Sequence, residues 1–293
     1  MLAVLGLVGL AAAMVWQHLR YLRARRDVVQ DHQPALYASA VFHVITLLRV
    51  TEGADPIEEV RKLRDQLETA TGPRLIYAGK VAVNALSSSQ LGDVSWSAAV
   101  LVQYPSKQAH AEVRASEGYK RALSGFAQTY SHGLERDALR NLMVPQLLLA
   151  LRVRQLLSGA PSHFPFEPDP DHSLPAETAQ RMERLLGELE LGAEAVVVVN
   201  LLKHGTPEQR VADRAYGMRM AGMFAEGAHG PMHIGDAVTL EGGARFDRVA
   251  LVYYPGVEHF AAMGRSRFFQ GIVGGKQLGD TQASVTVPML DRL

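Results

Sequence analysis

Cysteine is absent from all 293 residues. Its absence excludes disulfides, thiol nucleophiles and Cys-ligated zinc or iron–sulfur clusters, and it leaves compartment open. A charge excess of either sign is also missing. Lys and Arg number 30, as do Asp and Glu, so overall charge gives no reason to expect a nucleic-acid partner. The short motifs that announce a reaction are missing as well. There is no Walker loop, no Gly-x-Gly-x-x-Gly opening a helix, no His-Glu-x-x-His and no Gly-x-Ser-x-Gly, and no cofactor is expected. The chain does have apolar residues, at 47%, enough for a sizeable core in about two domains. Its basic residues are mostly Arg, as in proteins of GC-rich bacterial genomes.

Residues 1–16 carry no charged side chain, and Arg20, Arg23, Arg25 and Arg26 follow. At ~1.5 Å per residue, residues 1–19 match the ~30 Å hydrocarbon core of a bilayer. Trp16 and Tyr21 fall where an interfacial aromatic belt would lie. A cleaved signal peptide needs a basic segment ahead of the apolar one, and none precedes it. The expectation is an uncleaved single-pass signal anchor, residues 1–26 with the basic flank. The bilayer would be a partner through residues 1–19, and a membrane protein is a further candidate partner. Arginines after the span place the C-terminal domains in the cytoplasm, at the inner membrane.

The soluble chain is organised by two similar stretches. Residues 245–255 read RFDRVALVYYP and residues 95–105 read SWSAAVLVQYP. Each is a buried strand stopping at a Tyr-Pro turn before a helix. Around them the chain divides into two copies of one β-α-β-β-α-β unit, the ferredoxin-like order: residues 27–158, then a Pro/Asp/Ser-rich surface linker at 159–175, then residues 176–293. In the first copy a strand opens at Phe42, and a helix starts at Asp55-Pro56 with Ile57, Val60, Leu63 and Leu67 at helical spacing. Strands cover 76–85 and 96–104, a helix runs from Ser106, and 116–130 reads as further helix. The second copy opens at 195–203. Thr206-Pro207-Glu208-Gln209 is a capping box. Strands follow at 232–238, 246–254 and 281–288, the last matching the region before Pro145. A helix is also expected near residues 35–40.

The stretch 198–203 (VVNLLK), Tyr216-Gly217, Gly235, Phe246-Asp247 and 251–255 (LVYYP) together resemble an uncharacterised domain-of-unknown-function family, the thirteen-thirty type, of the dimeric α+β barrel superfamily. The resemblance covers about a hundred residues of copy two. Copy one is a degraded match, with Thr46 for Asn200, Ser97 for Asp247 and Gln103 for Tyr253. It implies two ferredoxin-like sheets facing each other across one barrel closed within the chain. Superfamily members include cofactor-independent monooxygenases, haem-binding enzymes and plain small-molecule binders, and fold does not choose among them.

Candidate site residues are polar groups breaking apolar strands. Asn200 ends the run of valines in its strand, where a buried amide needs partners or a cavity. The face carrying Val197, Val199 and Leu201 is wholly apolar, so packing it on the unit's helices would turn Asn200 and Thr46 into the barrel. His233 and Tyr77 align on the second strands, and His233 is the candidate catalytic base. Tyr104 and Tyr254 precede the paired prolines, and Arg248 is an anion hook if it faces inward. His229 and His233 are separated by Gly-Pro, which is not a metal-ligand spacing, and no metal is expected. Two functions stay open: a membrane-anchored accessory protein binding a small molecule, or a cofactor-independent monooxygenase-like enzyme acting on a small or lipophilic metabolite. A haem enzyme is third.

Overall fold

The computed structural model of the chain describes residues 2–23, 41–69, 72–135, 138–189, 195–227, 229–240 and 242–293. The helix expected near 35–40, Arg25 and Arg26 fall outside them. Helix α1 covers Leu2–Arg23. The first copy comprises β1 (Phe42–Val50), α2 (Pro56–Glu68), β2 (Arg74–Leu86), β3 (Ala98–Tyr104), α3 (Lys107–Ala115), α4 (Glu117–Leu123) and β4 (Phe126–Glu135). Helices α5 (Ala138–Ser158) and α6 (Ala176–Leu189) lead to the second copy: β5 (Val196–Leu202), α7 (Pro207–Gly227), β6 (Gly230–Thr239), β7 (Arg248–Tyr254), α8 (Val257–Gly264), α9 (Arg267–Val273) and β8 (Gln282–Pro288).

The helix starts follow from local chemistry. Asp55 Oδ1 accepts a hydrogen bond from Ile57 N at 3.0 Å, with Pro56 in the first turn. Thr206 and Gln209 bond each other's backbone N–H, at 3.3 and 2.8 Å, closing a reciprocal capping box.

The eight strands among the described residues form one closed barrel in the order β1-β3-β2-β8-β5-β7-β6-β4. Each half keeps the ferredoxin-like order, and antiparallel pairs β2–β8 and β4–β6 join them. The two glycines that align between copies sit at these seams. A Cβ on Gly235 would lie 2.1 Å from Glu135 O of β4, and one on Gly79 would lie 2.3 Å from Tyr77 Oη.

The fourth strand departs from expectation. β4 occupies 126–135, within and beyond the stretch read as helical, and Pro145 lies inside α5. β4 is polar (Gln128, Thr129, Ser131, His132), so its alternation carries little hydropathy signal. The 159–175 linker is docked on the second half. Asp169 N donates to Arg265 O at 2.8 Å and Arg267 N to Glu167 O at 3.0 Å, while Glu226 accepts from Ser162 Oγ at 2.6 Å.

Among the described residues no helix is long and apolar enough to cross a membrane. The expected span is shortened because α1 ends on the domain. Gln17, His18 and Tyr21 are buried, the Tyr21 hydroxyl donates to Pro231 O, and Gln146 Nε2 donates to Met14 O at 2.9 Å.

Two cores flank the sheet. Ile45, Leu47, Tyr77, Leu101, Val197, Val199, Leu201, Val249 and Leu251 belong to the core filling the barrel interior. Val44, Val60, Leu63, Leu67, Val100, Val102, Val198, Met220, Met223 and Tyr254 belong to the core between barrel and helices. The wholly apolar face of β5 therefore lines the interior, the reverse of the expected orientation. A closed barrel offers no water to its inner face, so that face takes the most apolar side chains.

Candidate functional site

On β5 the even-numbered side chains point out toward the helices. Asn200 pairs across the ladder with Ala250 of β7, and both line a cavity of about 300 Å³. Its far wall is the inner side of α7: Asp213, Tyr216, Gly217, Met220, Ala221 and Phe224. Val144, Leu147 and Leu148 of α5 cover one end, and Lys276 and Leu278, from the segment between α9 and β8, another. The space exists because small residues meet where sheet and helices face each other. Ala250 lies on the sheet, and Gly217 and Ala221 lie on α7.

The cavity is apolar with a few convergent polar groups, the usual make-up of a small-molecule site. Asn200 Nδ2 donates to Val198 O at 3.0 Å and Ala250 O at 3.2 Å. Both amide hydrogens are thereby committed, and Oδ1 is the acceptor it can offer an occupant. Burial raises the pKa of Asp213, against the opposing pull of Lys276, His204 and Arg248. Burial lowers the pKa of Lys276, opposed by Asp213. The Tyr216 hydroxyl is pushed up to about 12 by burial and by the Asp213 charge. Tyr254 is raised further, by burial and then by Tyr216. Low polarity thus drives all four groups toward their neutral forms.

The seven residues singled out in the sequence scatter over three environments. Asn200 and Tyr254 share the cavity, and Tyr254 packs on Phe224 and Phe260 with ring centroids 5.8 and 5.0 Å away. Arg248 faces the same helical side beside Leu202, half-buried, with its charge acting on Asp213. No group among the described residues accepts from its Nε. It does not face inward. Thr46 and Tyr104 lie on the helical side of the first half. There Thr46 bonds Ser131 at 3.0 Å, and Tyr104 packs against the His110 ring at 4.9 Å. His233 and Tyr77 are the residues inside the barrel. His233 pairs with inward Leu251 and lies 6.1 Å, ring to ring, from His43. Tyr77 donates to Thr286 Oγ1 at 2.6 Å, which in turn donates to Val197 O at 2.6 Å. Asn200 and His233 are therefore on opposite faces of one sheet and cannot act on the same ligand. The expected site pairing them is overturned, because the strand faces are inverted relative to the expectation.

His229 is packed among Phe224, Tyr254 and His259. No cluster of His, Asp or Glu suited to a metal occurs among the described residues. Asp247 has a structural role: it accepts from His204 N at 2.7 Å, as Ser97 accepts from Val50 N at 3.2 Å. Each caps the end of the strand beside it.

Asp213 and Lys276 were missed. Asp213 stands at the i−3 and i−7 positions relative to Tyr216 and Met220, on the stripe that already faced the core, so a helical wheel could have found it. Lys276 lies in a Gly-Gly-Lys loop, and no periodicity points inward there.

No known family profile matches the sequence, including that of the uncharacterised family it resembles. No curated protein matches it either. Solved structures with related chain paths include a protein of Fusobacterium nucleatum subsp. nucleatum provisionally described as a monooxygenase. It is 8% identical, covers 86% of this chain and 94% of its own, and has a TM-score of 0.44. An anthrone oxidase-like protein is 11% identical, with coverages of 86% and 92% and a TM-score of 0.42. The chlorite dismutase of Candidatus Nitrospira defluvii is 11% identical, with coverages of 88% and 95% and a TM-score of 0.40. At such identities and scores, similarity of path leaves substrate and reaction open.

Proposed function

We propose that this protein binds a small lipophilic molecule in the cavity between β5, β7, α5 and α7. The supporting observation is the cavity's chemistry: apolar walls, with Asn200, Asp213, Tyr216 and Lys276 converging on them. The occupant carries at least one group able to donate to Asn200 Oδ1 or to exchange a proton with the Asp213–Lys276 pair. Its working place in this reading is the inner face of the cytoplasmic membrane, near a membrane protein partner, with α1 as the tether.

The reading is tested by native mass spectrometry of the gently purified full chain, followed by identification of small molecules released on denaturation. A stoichiometric apolar compound is expected, and it should be lost from a Tyr216→Trp variant that fills the cavity. Recovery of the same compound from that variant would place the binding elsewhere.

A second reading, an enzyme of the cofactor-independent monooxygenase kind, keeps support from one observation. Burial lowers the pKa of Lys276, which favours the neutral amine a general base requires. In this reading the base is Lys276 rather than His233, which lies across the sheet. Oxygen consumption with hydroxylated aromatic compounds, lost in Lys276→Met, is the expected result. The haem reading is weakened, since no histidine among the described residues lines the cavity; a Soret band in the purified protein would restore it.

A further inference from the structure

A second hollow adjoins the first. A groove of about 1190 Å³ runs between α1 and α5, lined by Leu10, Met14, Met143, Val153 and Leu157 among others. Val144 and Leu147 line both this groove and the Asn200 cavity, so the two hollows meet at one turn of α5. Around the groove lies an apolar surface with no cover among the described residues. Residues 4–13 of α1 are exposed on every side, and all are Val, Leu, Ala or Gly. On α5, Leu156 and Leu157 are 66% and 85% exposed.

Two observations identify what covers this surface. A helix docking on a protein partner is apolar on one stripe, whereas the outer turns of α1 are apolar all round, as in helices immersed in hydrocarbon. The charged side chains of α1 and α5 are all arginine, with no Asp or Glu in either helix. Arg20 and Arg23 close α1, where the Arg20 guanidinium lies 5.8 Å over the Trp16 ring, and Arg154 lines the groove. Cations and a tryptophan bordering an apolar body suit the headgroup layer of an anionic bilayer.

We propose that the α1–α5 surface seats the protein on an anionic bilayer without crossing it, and that the groove is the portal through which a membrane-dissolved amphiphile passes Val144 and Leu147 into the Asn200 cavity. The proposal rests on the binding reading above and names the source of its ligand.

The test uses the full chain, phosphatidylglycerol/phosphatidylcholine vesicles and cis-parinaric acid, a fluorescent fatty acid, as the probe. The variant is Leu7→Glu/Leu156→Glu, at positions 67% and 66% exposed that line neither the groove nor the cavity. Wild type should float with vesicles and take up probe from them at a rate that rises with vesicle concentration. The variant should float at least about tenfold less and take up vesicle-borne probe at least about tenfold more slowly, since each Leu loses apolar burial in lipid. Its affinity for probe added in water should stay within about twofold. Wild-type transfer in the variant overturns the proposal, as does a wild-type rate independent of vesicle concentration. A stable dimer that does not float also overturns it, by showing that a second copy covers the surface. If wild type floats but shows no saturable probe signal in water, the cavity reading itself has failed, and the portal with it.

Discussion

The two halves of the barrel share one inner core and differ on their outer faces. On β1 and β3 the outward pair is Thr46 opposite Val100, and on β5 and β7 the equivalent pair is Asn200 opposite Ala250. Above Thr46 the helical side is filled by Val60, Leu63 and Leu67 of α2, all buried, and by Tyr104 against His110. Above Asn200 the longer α7 presents Asp213, Tyr216 and Gly217 and leaves a cavity. The inner faces have no such freedom, because each half completes the other's barrel wall. After duplication, then, only an outer layer can be hollowed without opening the barrel. Here the outer layer is hollowed over Asn200 and packed over Thr46.

The largest expected effect tests that assignment. Leu63→Ala in the first half should cost about 2–5 kcal/mol in denaturant unfolding, as fully buried Leu→Ala changes do. Tyr216→Phe in the second should cost less than about 1 kcal/mol. Equal costs would mean the cavity is part of the stabilising core.

Next in size is a pH effect from the shared interior. His132, fully buried on β4 with Nδ1 3.1 Å from the Tyr130 hydroxyl, has its pKa lowered to about 4 by burial. Below the ordinary histidine pKa of ~6.5 the unfolded chain binds a proton that the folded chain does not. Stability therefore falls as pH falls from ~6.5 to about 4, by up to about 3 kcal/mol from this residue. In His132→Phe this part of the slope should vanish when unfolding is followed across that window; an unchanged slope would assign it to other groups.

Smaller effects come from exchanging the paired positions. Val100→Ala should cost roughly 2 kcal/mol, while Ala250→Val should leave stability within about 0.5 kcal/mol because it enters existing space. Calorimetric Tm values for the two variants give the comparison. Asn200→Thr, which gives the second half the first half's residue, should cost about 0.5–1.5 kcal/mol, since a hydroxyl has one hydrogen to donate where the amide gives two, to Val198 O and Ala250 O. It should weaken ligand binding about three- to tenfold, the equivalent of one hydrogen bond.

The repeat was legible because Tyr-Pro strand ends and Pro-started helices are local signals, and they placed seven of the strands. β4 was hidden by its polar residues. Which face of β5 looks inward could not be read from β5 alone. Both faces are buried, so alternation does not distinguish interior from helical side. That ambiguity joined Asn200 to His233 and separated it from Asp213 and Lys276, groups that only the docking of α7 and the last loop brings to it. The apolar N-terminal run was plain in composition, but where α1 docks depends on Tyr21 reaching Pro231, a contact 210 positions away in sequence.

The central claim, that the ligand cavity lies over Asn200 and Ala250 and not over Thr46 and Val100, is tested most directly by titrating cis-parinaric acid in water against Val100→Leu and Ala250→Leu. Each adds bulk at the same register position of one half. The account predicts saturable one-to-one binding in wild type, unchanged affinity in Val100→Leu despite some loss of stability, and at least about tenfold weaker binding in Ala250→Leu. Wild-type affinity in Ala250→Leu, or its loss in Val100→Leu, would contradict it.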